Sequence, residues 1–298
     1  MPRPPGPLAR AALVVLAIAA TIGLALVVGP LVHGGLVAVG IDRPYTKIFR
    51  YVTAVLLVAL GLIALRPWRD VPPDLYGLRG PRSRPALALG GAATALAVLV
   101  AIALFDAAAG HLSWDPRAKT KVAERWVEAV GRGIVVGLIE EVAFRGWGFT
   151  RLSRRFPVGG AAALVALVFA GIHGFRESRA PKGLAPSIES GLEILGSWGA
   201  NVVDLHRFGP SFVGLFLLSL ALTAAFLRFR TLWFGVGLHG AAVAWLPLHS
   251  AATQRDIERD WSGSKWLYDG APGWVALGLL AWILWPRGRT ASPTAPGG

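Results

Sequence analysis

The chain has 298 residues, is 54% hydrophobic and only 16% charged, and carries a formal net charge of +13. Its apolar residues come in blocks of about 17–25, the length that crosses a bilayer, so the sequence reads as an all-α, polytopic integral membrane protein and not as a soluble domain. The absence of cysteine excludes disulfides, thiolate metal sites and cysteine nucleophiles. The positive charge reads as arginine gathered in cytoplasmic loops; without a basic patch interleaved with aromatics, nucleic acid is not an expected partner.

Residues 1–10 are Pro-rich with two arginines and lead into an apolar run over 11–28. The pattern resembles a signal peptide, and Ala17-Ile18-Ala19 could pass as a cleavage site. The apolar run continues beyond it, which favours an uncleaved first transmembrane helix. Pro30, Gly34 and Gly35 predict a loop after it. A second span is expected over 48–65, followed by a loop over 66–85 with five arginines and two aspartates. The third span, 86–105, is rich in small residues and suited to close helix packing.

Residues 111–121 read as a loop around Pro116. A long helix is then predicted over 122–152, amphipathic at first (Glu124, Arg125, Glu128) and closed by arginines from Arg151 on. Pro157 opens the fifth span, 158–173. In the polar stretch 174–210, residues 188–203 predict an amphipathic interfacial or re-entrant helix around Leu192, Ile194, Leu195 and Trp198. The sixth span is 211–226, the seventh 232–246. A charged loop over 249–270 precedes the last span, 274–285.

This gives about eight transmembrane helices in one membrane domain, residues 1–286, with a motif core at 122–248 and a disordered cytoplasmic tail at 287–298. No internal repeat is visible. Arginines without matching acids lie before span one and after spans two, four, six and eight, which places both termini in the cytoplasm. Trp68, Trp114, Trp126, Trp233 and Trp285 near span ends fit an interfacial belt.

The chemistry concentrates in the fourth helix, where Glu140, Glu141 and Arg145 interrupt an apolar run. Charges there are costly unless paired and mark a functional site by default. Glu141 and Arg145 are four residues apart on one helix face and predict an intrahelical ion pair. Glu140 is rotated by about 100° from Glu141. It has no partner at i+4 (Phe144), i+3 (Ala143) or i−4 (Val136), so another helix must supply one.

The candidates are the membrane histidines, His173 and His239. His173 follows Phe169 by four residues, so the two should stack. A lone histidine on an apolar helix is more often a packed residue than a catalyst. Two of them in spans that accompany an unpartnered glutamate can activate a water and steady an oxyanion, or bind a divalent ion. No His-Glu-x-x-His zinc helix occurs. His33, His111, His206 and His249 sit in or beside expected loops and read as solvated. Phosphate loops and a Gly-x-Ser-x-Gly elbow are missing. Ser219 has no base near it in sequence, so a rhomboid-like serine mechanism is unsupported.

Three elements together resemble the CAAX protease and bacteriocin-processing (Abi) family of intramembrane endopeptidases. They are Glu140-Glu141-Val142-Ala143-Phe144-Arg145-Gly146, Phe169-Ala170-Gly171-Ile172-His173, and the later His239. The resemblance covers about residues 130–244. It implies an all-helical membrane fold with a polar catalytic cavity among the motif helices. Glu140 would be the general base, His173 would orient against it or share its water, and His239 would help hold the oxyanion. Glu141 and Arg145 would brace the site, with Phe169 in support.

The resemblance favours a glutamate mechanism without a cofactor; if a metal such as zinc were used, Glu140, His173 and His239 would be its ligands. The sequence departs from the family pattern at Val243, four residues after His239, where Asn or Asp is common. Implied substrates are prenylated CAAX tails, bacteriocin-type peptides, or membrane-anchored proteins with a C-terminal sorting helix. The Ala- and Arg-rich, cysteine-free composition reads as bacterial and favours the last two, in an inner membrane. The alternatives are a non-catalytic membrane protein of the same fold, an immunity factor or scaffold, and less so a transporter, for which no inverted repeat is seen.

Overall fold

The computed structural model describes residues 7–64, 77, 84–175, 183–255, 261–264 and 266–287. Most of the expected 66–85 loop, part of the charged loop and residues 288–298 of the tail lie outside them. In chain order the elements are α1 (Pro7–Ala38), α2 (Tyr45–Ala64), α3 (Arg84–Ala108), β1 (Leu112–Trp114), α4 (Ala118–Glu141), a π-helical segment (Val142–Phe149) and α5 (Thr150–Leu152). They continue with α6 (Val158–Ile172), α7 (Ile188–Val203), α8 (Leu205–Phe229), α9 (Trp233–Ala252), β2 (Thr253–Arg255) and α10 (Ala271–Leu284). The chain divides into two compact units, Met1–Arg69 with Gly174–Asp204, and Asp70–His173 with Leu205–Gly298.

In the first unit α1, α2 and α7 share a core of Ala25, Tyr45, Phe49, Ile194 and Trp198. The expected amphipathic helix forms as α7. Its N-cap is Ser187, whose hydroxyl accepts from Ser190 N at 3.0 Å. The predicted break after residue 28 does not occur. Pro30 lies inside the 32-residue α1; a proline removes one backbone donor, which an apolar helix of this length absorbs without unwinding. His33 is consequently helical, with Nε2 3.0 Å from Arg43 O, and not in a loop.

Among the described residues three helices are long and apolar enough to cross a membrane: Val15–Ala38, Pro85–Ala108 and Leu205–Phe229. Val158–Ile172 and Ala271–Leu284 are shorter apolar helices. Burial runs opposite to that of a water-soluble protein. On α4, Ile134, Val135 and Ile139 are exposed while Glu141, just beyond, is buried. A lipid environment gives that pattern its physical sense.

The second unit holds every motif residue. Its α9 packs against both α3 and α4, and glycine permits the approach. A Cβ on Gly137 of α4 would stand 2.9 Å from Gly240 N of α9, and one on Gly240 would stand 2.9 Å from Gly133 O. On the other face, a Cβ on Gly91 of α3 would collide with Phe234 O, and one on Gly237 with Ala88 O. This close packing places His239, in mid-α9, beside the end of α4.

The all-helical expectation meets one exception. β1 and β2 pair antiparallel, Leu112 opposite Arg255 and Trp114 opposite Thr253, where two loops were expected. The turn after β1 is tied by Asp115, which accepts from Arg117 N at 2.7 Å, from Lys121 Nζ and from Gln254 Nε2 at 3.1 Å. His249 corrects another expectation: it lies within α9, is buried and stacks on Trp245, so it is not solvated.

Candidate active site

The helix expected over 122–152 is not one uniform α-helix. After Glu141 the chain winds as a π-helix over Val142–Phe149 before a last α-turn. Gly146 and Gly148 add backbone freedom there, and such wider turns recur at functional sites. The Arg145 carbonyl accepts from Thr150 Oγ1 at 3.1 Å, which satisfies a group at this irregularity.

Arg145 is fully buried and serves two helices. Its Nη1 donates to Glu141 Oε1 at 3.0 Å, the expected pair. Its Nη2 donates to Ser219 of α8 twice, to Oγ at 2.8 Å and to the carbonyl at 3.1 Å. The guanidinium also lies 5.0 Å over the Phe169 ring, a cation–π contact. Sequence reasoning passed over Ser219, because it searched for a nucleophile. Ser219 is an anchor for the arginine, and Thr223 in turn donates to its carbonyl at 2.9 Å.

Glu141 has a second partner. His239 Nδ1 stands 3.1 Å from the same Oε1 that Arg145 engages. Room for this carboxylate comes from Gly235, where a Cβ would stand 2.8 Å from Glu141 Oε2. Glu140 and Glu141, though on different faces of α4, therefore address the two nitrogens of one imidazole, since His239 Nε2 lies 3.7 Å from Glu140 Oε2.

His173 approaches the same oxygen from the end of α6, its Nε2 4.0 Å from Glu140 Oε2. Its Nδ1 is 2.7 Å from Phe169 O, and its ring lies 4.6 Å from that of Phe169. Phe169 is wedged between the two imidazoles, with His239 at 5.7 Å. Exposure separates the two glutamates. The Glu140 and His173 side chains are 25% and 26% exposed, whereas those of Glu141 and Arg145 are 1% and 0%. The outer pair can meet water; the inner pair is sealed.

Partner chemistry assigns the ring protons. The Phe169 carbonyl only accepts, and so does the Glu141 carboxylate held by Arg145. Each Nδ1 must then carry hydrogen, and in a neutral ring each Nε2 is left with a lone pair. Glu140 Oε2 is buried and accepts no hydrogen bond among the described residues. Three acceptor atoms thus converge, and a water molecule there can donate its two protons to Glu140 and to one of the imidazoles.

A metal fits less well. About 3.3 Å would separate two ligand atoms on a tetrahedral ion with bonds near 2.0 Å, against the 3.7 and 4.0 Å found here. Among the described residues no group of three His, Asp or Glu side chains is placed to hold an ion.

Beside the two imidazoles lies a cavity of about 140 Å³ between α3, α6, α8, α9 and α10. Its lining is aliphatic apart from His173, His239, Phe169 and Tyr268, and it includes Val243, one turn after His239. No curated protein and no solved structure matches the chain. A family model does match, over residues 122–245, a segment that begins in α4, ends in α9 and contains Glu140, Glu141, Arg145, Phe169, His173, Ser219 and His239. Over that segment the chain is similar to the Rce1-like family of type II CAAX prenyl endopeptidases.

Proposed function

We propose that this protein is an intramembrane endopeptidase that hydrolyses a peptide bond of a membrane-associated protein or peptide with a Glu140-activated water. The observation that carries the reading is the convergence of His173 Nε2 and His239 Nε2 on Glu140 Oε2. A water there donates one hydrogen to the carboxylate and one to an imidazole. Its oxygen bonds to the scissile carbonyl carbon, the carbonyl π pair moves to oxygen, and Glu140 takes the water proton. When the tetrahedral adduct collapses, the C–N bond breaks and the amine leaves with that proton. Oriented groups in a partly dehydrated site contribute through proximity and fixed dipoles, not through strong binding of the ground state.

Glu141, Arg145 and Ser219 hold His239 in register without touching substrate. In this reading the chain crosses a bacterial inner membrane eight times, through α1, α2, α3, the run from α4 to α5, α6, α8, α9 and α10, with both termini in the cytoplasm. The arginine-rich loops support that orientation. The substrate is a membrane-anchored protein or peptide presented from the bilayer, and no cofactor is required.

The test compares protein termini in membranes that contain wild type, Glu140→Gln or His173→Asn. New termini should appear with wild type only. If the same cleavages persist with Glu140→Gln, the glutamate mechanism is wrong. If both variants are functionally silent while Arg145→Ala lowers expression, the polar cluster is a structural tie and the protein a scaffold.

A further inference from the structure

The cavity beside His173 and His239 is suited to one apolar group. Protein interiors close most voids larger than a water molecule, yet about 140 Å³ is open here between α3, α6, α8, α9 and α10. Apart from the two imidazoles and Tyr268, its lining consists of apolar side chains, Leu218 of α8 and Leu238, Val243 and Leu246 of α9 among them. An ionised side chain placed there would give up its water against walls that are almost wholly hydrocarbon. An aliphatic one would meet close contacts on every side.

Size narrows the choice of occupant. A dry cavity of about 150 Å³ with leucine, isoleucine and phenylalanine walls takes one benzene molecule, so the 140 Å³ here suits a group of similar bulk. Leucine, isoleucine and phenylalanine side chains are near that bulk, and alanine leaves most of the space empty. A prenyl chain of fifteen carbons exceeds it by roughly twofold or more. Position ties the cavity to the scissile bond. His173 Nε2 and His239 Nε2 stand 4.0 and 3.7 Å from Glu140 Oε2, and both residues belong to the cavity wall. A peptide carbonyl attacked at Glu140 has its own Cα about 1.5 Å from the reacting carbon. The side chain on that Cα therefore starts beside the imidazoles, with the cavity within reach.

We propose that this cavity is the specificity pocket for the residue that contributes the scissile carbonyl, and that it selects an apolar side chain between leucine and phenylalanine in size. Val243, one turn after His239, and Leu218, across from it on α8, set how large that side chain is. The substrate is then a membrane-anchored protein or peptide with such a residue at the cut, and not one cut after a residue that carries a prenyl chain. The inference rests on the endopeptidase reading, and the experiment separates the two.

New protein termini are mapped in membranes with wild type or Glu140→Gln, and the residue before each Glu140-dependent cut is identified. One of the cleaved proteins is then made with Ala, Leu, Phe, Trp or Asp at that residue, and its cleavage rates are compared for wild type, Val243→Phe and Leu218→Ala. One methylene more or less in an apolar pocket changes discrimination by about 10–200-fold. Wild type should cut the Leu and Phe forms at least about tenfold faster than the Ala form, with the Trp and Asp forms also slow. Val243→Phe fills the pocket and should bring the Ala form level with or ahead of the Leu form. Leu218→Ala enlarges it and should raise the Trp form relative to the Leu form. A loss of folded protein slows every form alike and leaves these ratios as they were, so ratios unchanged in both variants overturn the pocket assignment. Glu140-dependent cuts after residues of any size, or only after lipidated residues, overturn it as well and leave the endopeptidase reading intact. No Glu140-dependent terminus in wild type overturns the endopeptidase reading itself.

Discussion

His239 Nδ1 lies 3.1 Å from Glu141 Oε1, the same oxygen that receives Arg145 Nη1 at 3.0 Å. One carboxylate oxygen thereby links the Arg145 guanidinium to an imidazole that faces Glu140. Arg145 donates to the Glu141 carboxylate, His239 presents Nδ1 to the same oxygen, and the opposite ring nitrogen is left for Glu140. Ser219, Arg145, Glu141, His239 and Glu140 form one continuous path from α8 through α4 to α9 and back.

Loss of the inner charge should therefore cost stability as well as activity. Glu141→Gln leaves the Arg145 guanidinium buried without a carboxylate, a change that typically costs about 3–5 kcal/mol. Arg145→Met should be similarly damaging, because it buries the Glu141 carboxylate without its cation. The double variant Glu141→Gln/Arg145→Met should be less destabilised than the sum of the singles. Thermal unfolding of the four proteins in one detergent checks this, and additive effects would show that the pair is not coupled.

Ser219→Ala should be milder. It removes the hydroxyl acceptor at 2.8 Å but leaves the Ser219 carbonyl at 3.1 Å from the same Nη2. A hydrogen bond to a charged group contributes about 1.5–3 kcal/mol, and the remaining contact places the expected loss at the low end. Cleavage should continue with a reduced rate and an unchanged substrate preference. A wild-type melting curve would remove Ser219 from the path.

What the sequence made legible was governed by local rules. Glu141 with Arg145 and Phe169 with His173 are i, i+4 pairs, and both meet as helical spacing requires. The π-helical turn after Glu141 escaped because hydrophobic periodicity over one turn cannot distinguish four residues from five. Ser219 escaped because its role lies in a contact across 74 residues. The β1–β2 ribbon escaped because three residues per strand are too few to show alternation, and its partners are 139 residues apart at Asp115 and Gln254. Pro30, a helix breaker in water, misled because an apolar helix in lipid has no alternative partner for its backbone groups.

The glycines of α4 give a sharp contrast within one helix. Gly133 and Gly137 face α9, and a side chain at either position would press on the backbone of Gly240. Gly131, two residues earlier, has nothing within 4 Å of where its Cβ would stand. Gly133→Val should separate α4 from α9 and lower stability by at least the roughly 1–3 kcal/mol of an overpacked core. It should also disturb the His239–Glu141 contact, and cleavage with it. Gly131→Ala should instead stabilise the helix by about 0.5–1 kcal/mol. Melting temperatures of the two variants should move in opposite directions; a shared direction would mean that α4 and α9 are not packed through these glycines.

Outside the membrane helices, Asp115 supplies an acid-sensitive tie. Donation from Lys121 first, then from Gln254 and from the Arg117 amide, lowers its carboxyl from the usual 3.8 to about 2. The folded-state value lies below the unfolded one, so the stabilisation is complete above the usual value and is lost as pH falls through 3.8 toward 2. Asp115→Asn should melt earlier than wild type near neutral pH, and the gap should narrow as the pH is lowered through that window. Local amide exchange around β1 and β2 should follow the same course, because Asp115 joins the turn after β1 to Gln254 in β2. A gap that stays constant from neutral pH down to pH 2 would show that the asparagine acts through shape and not through lost charge.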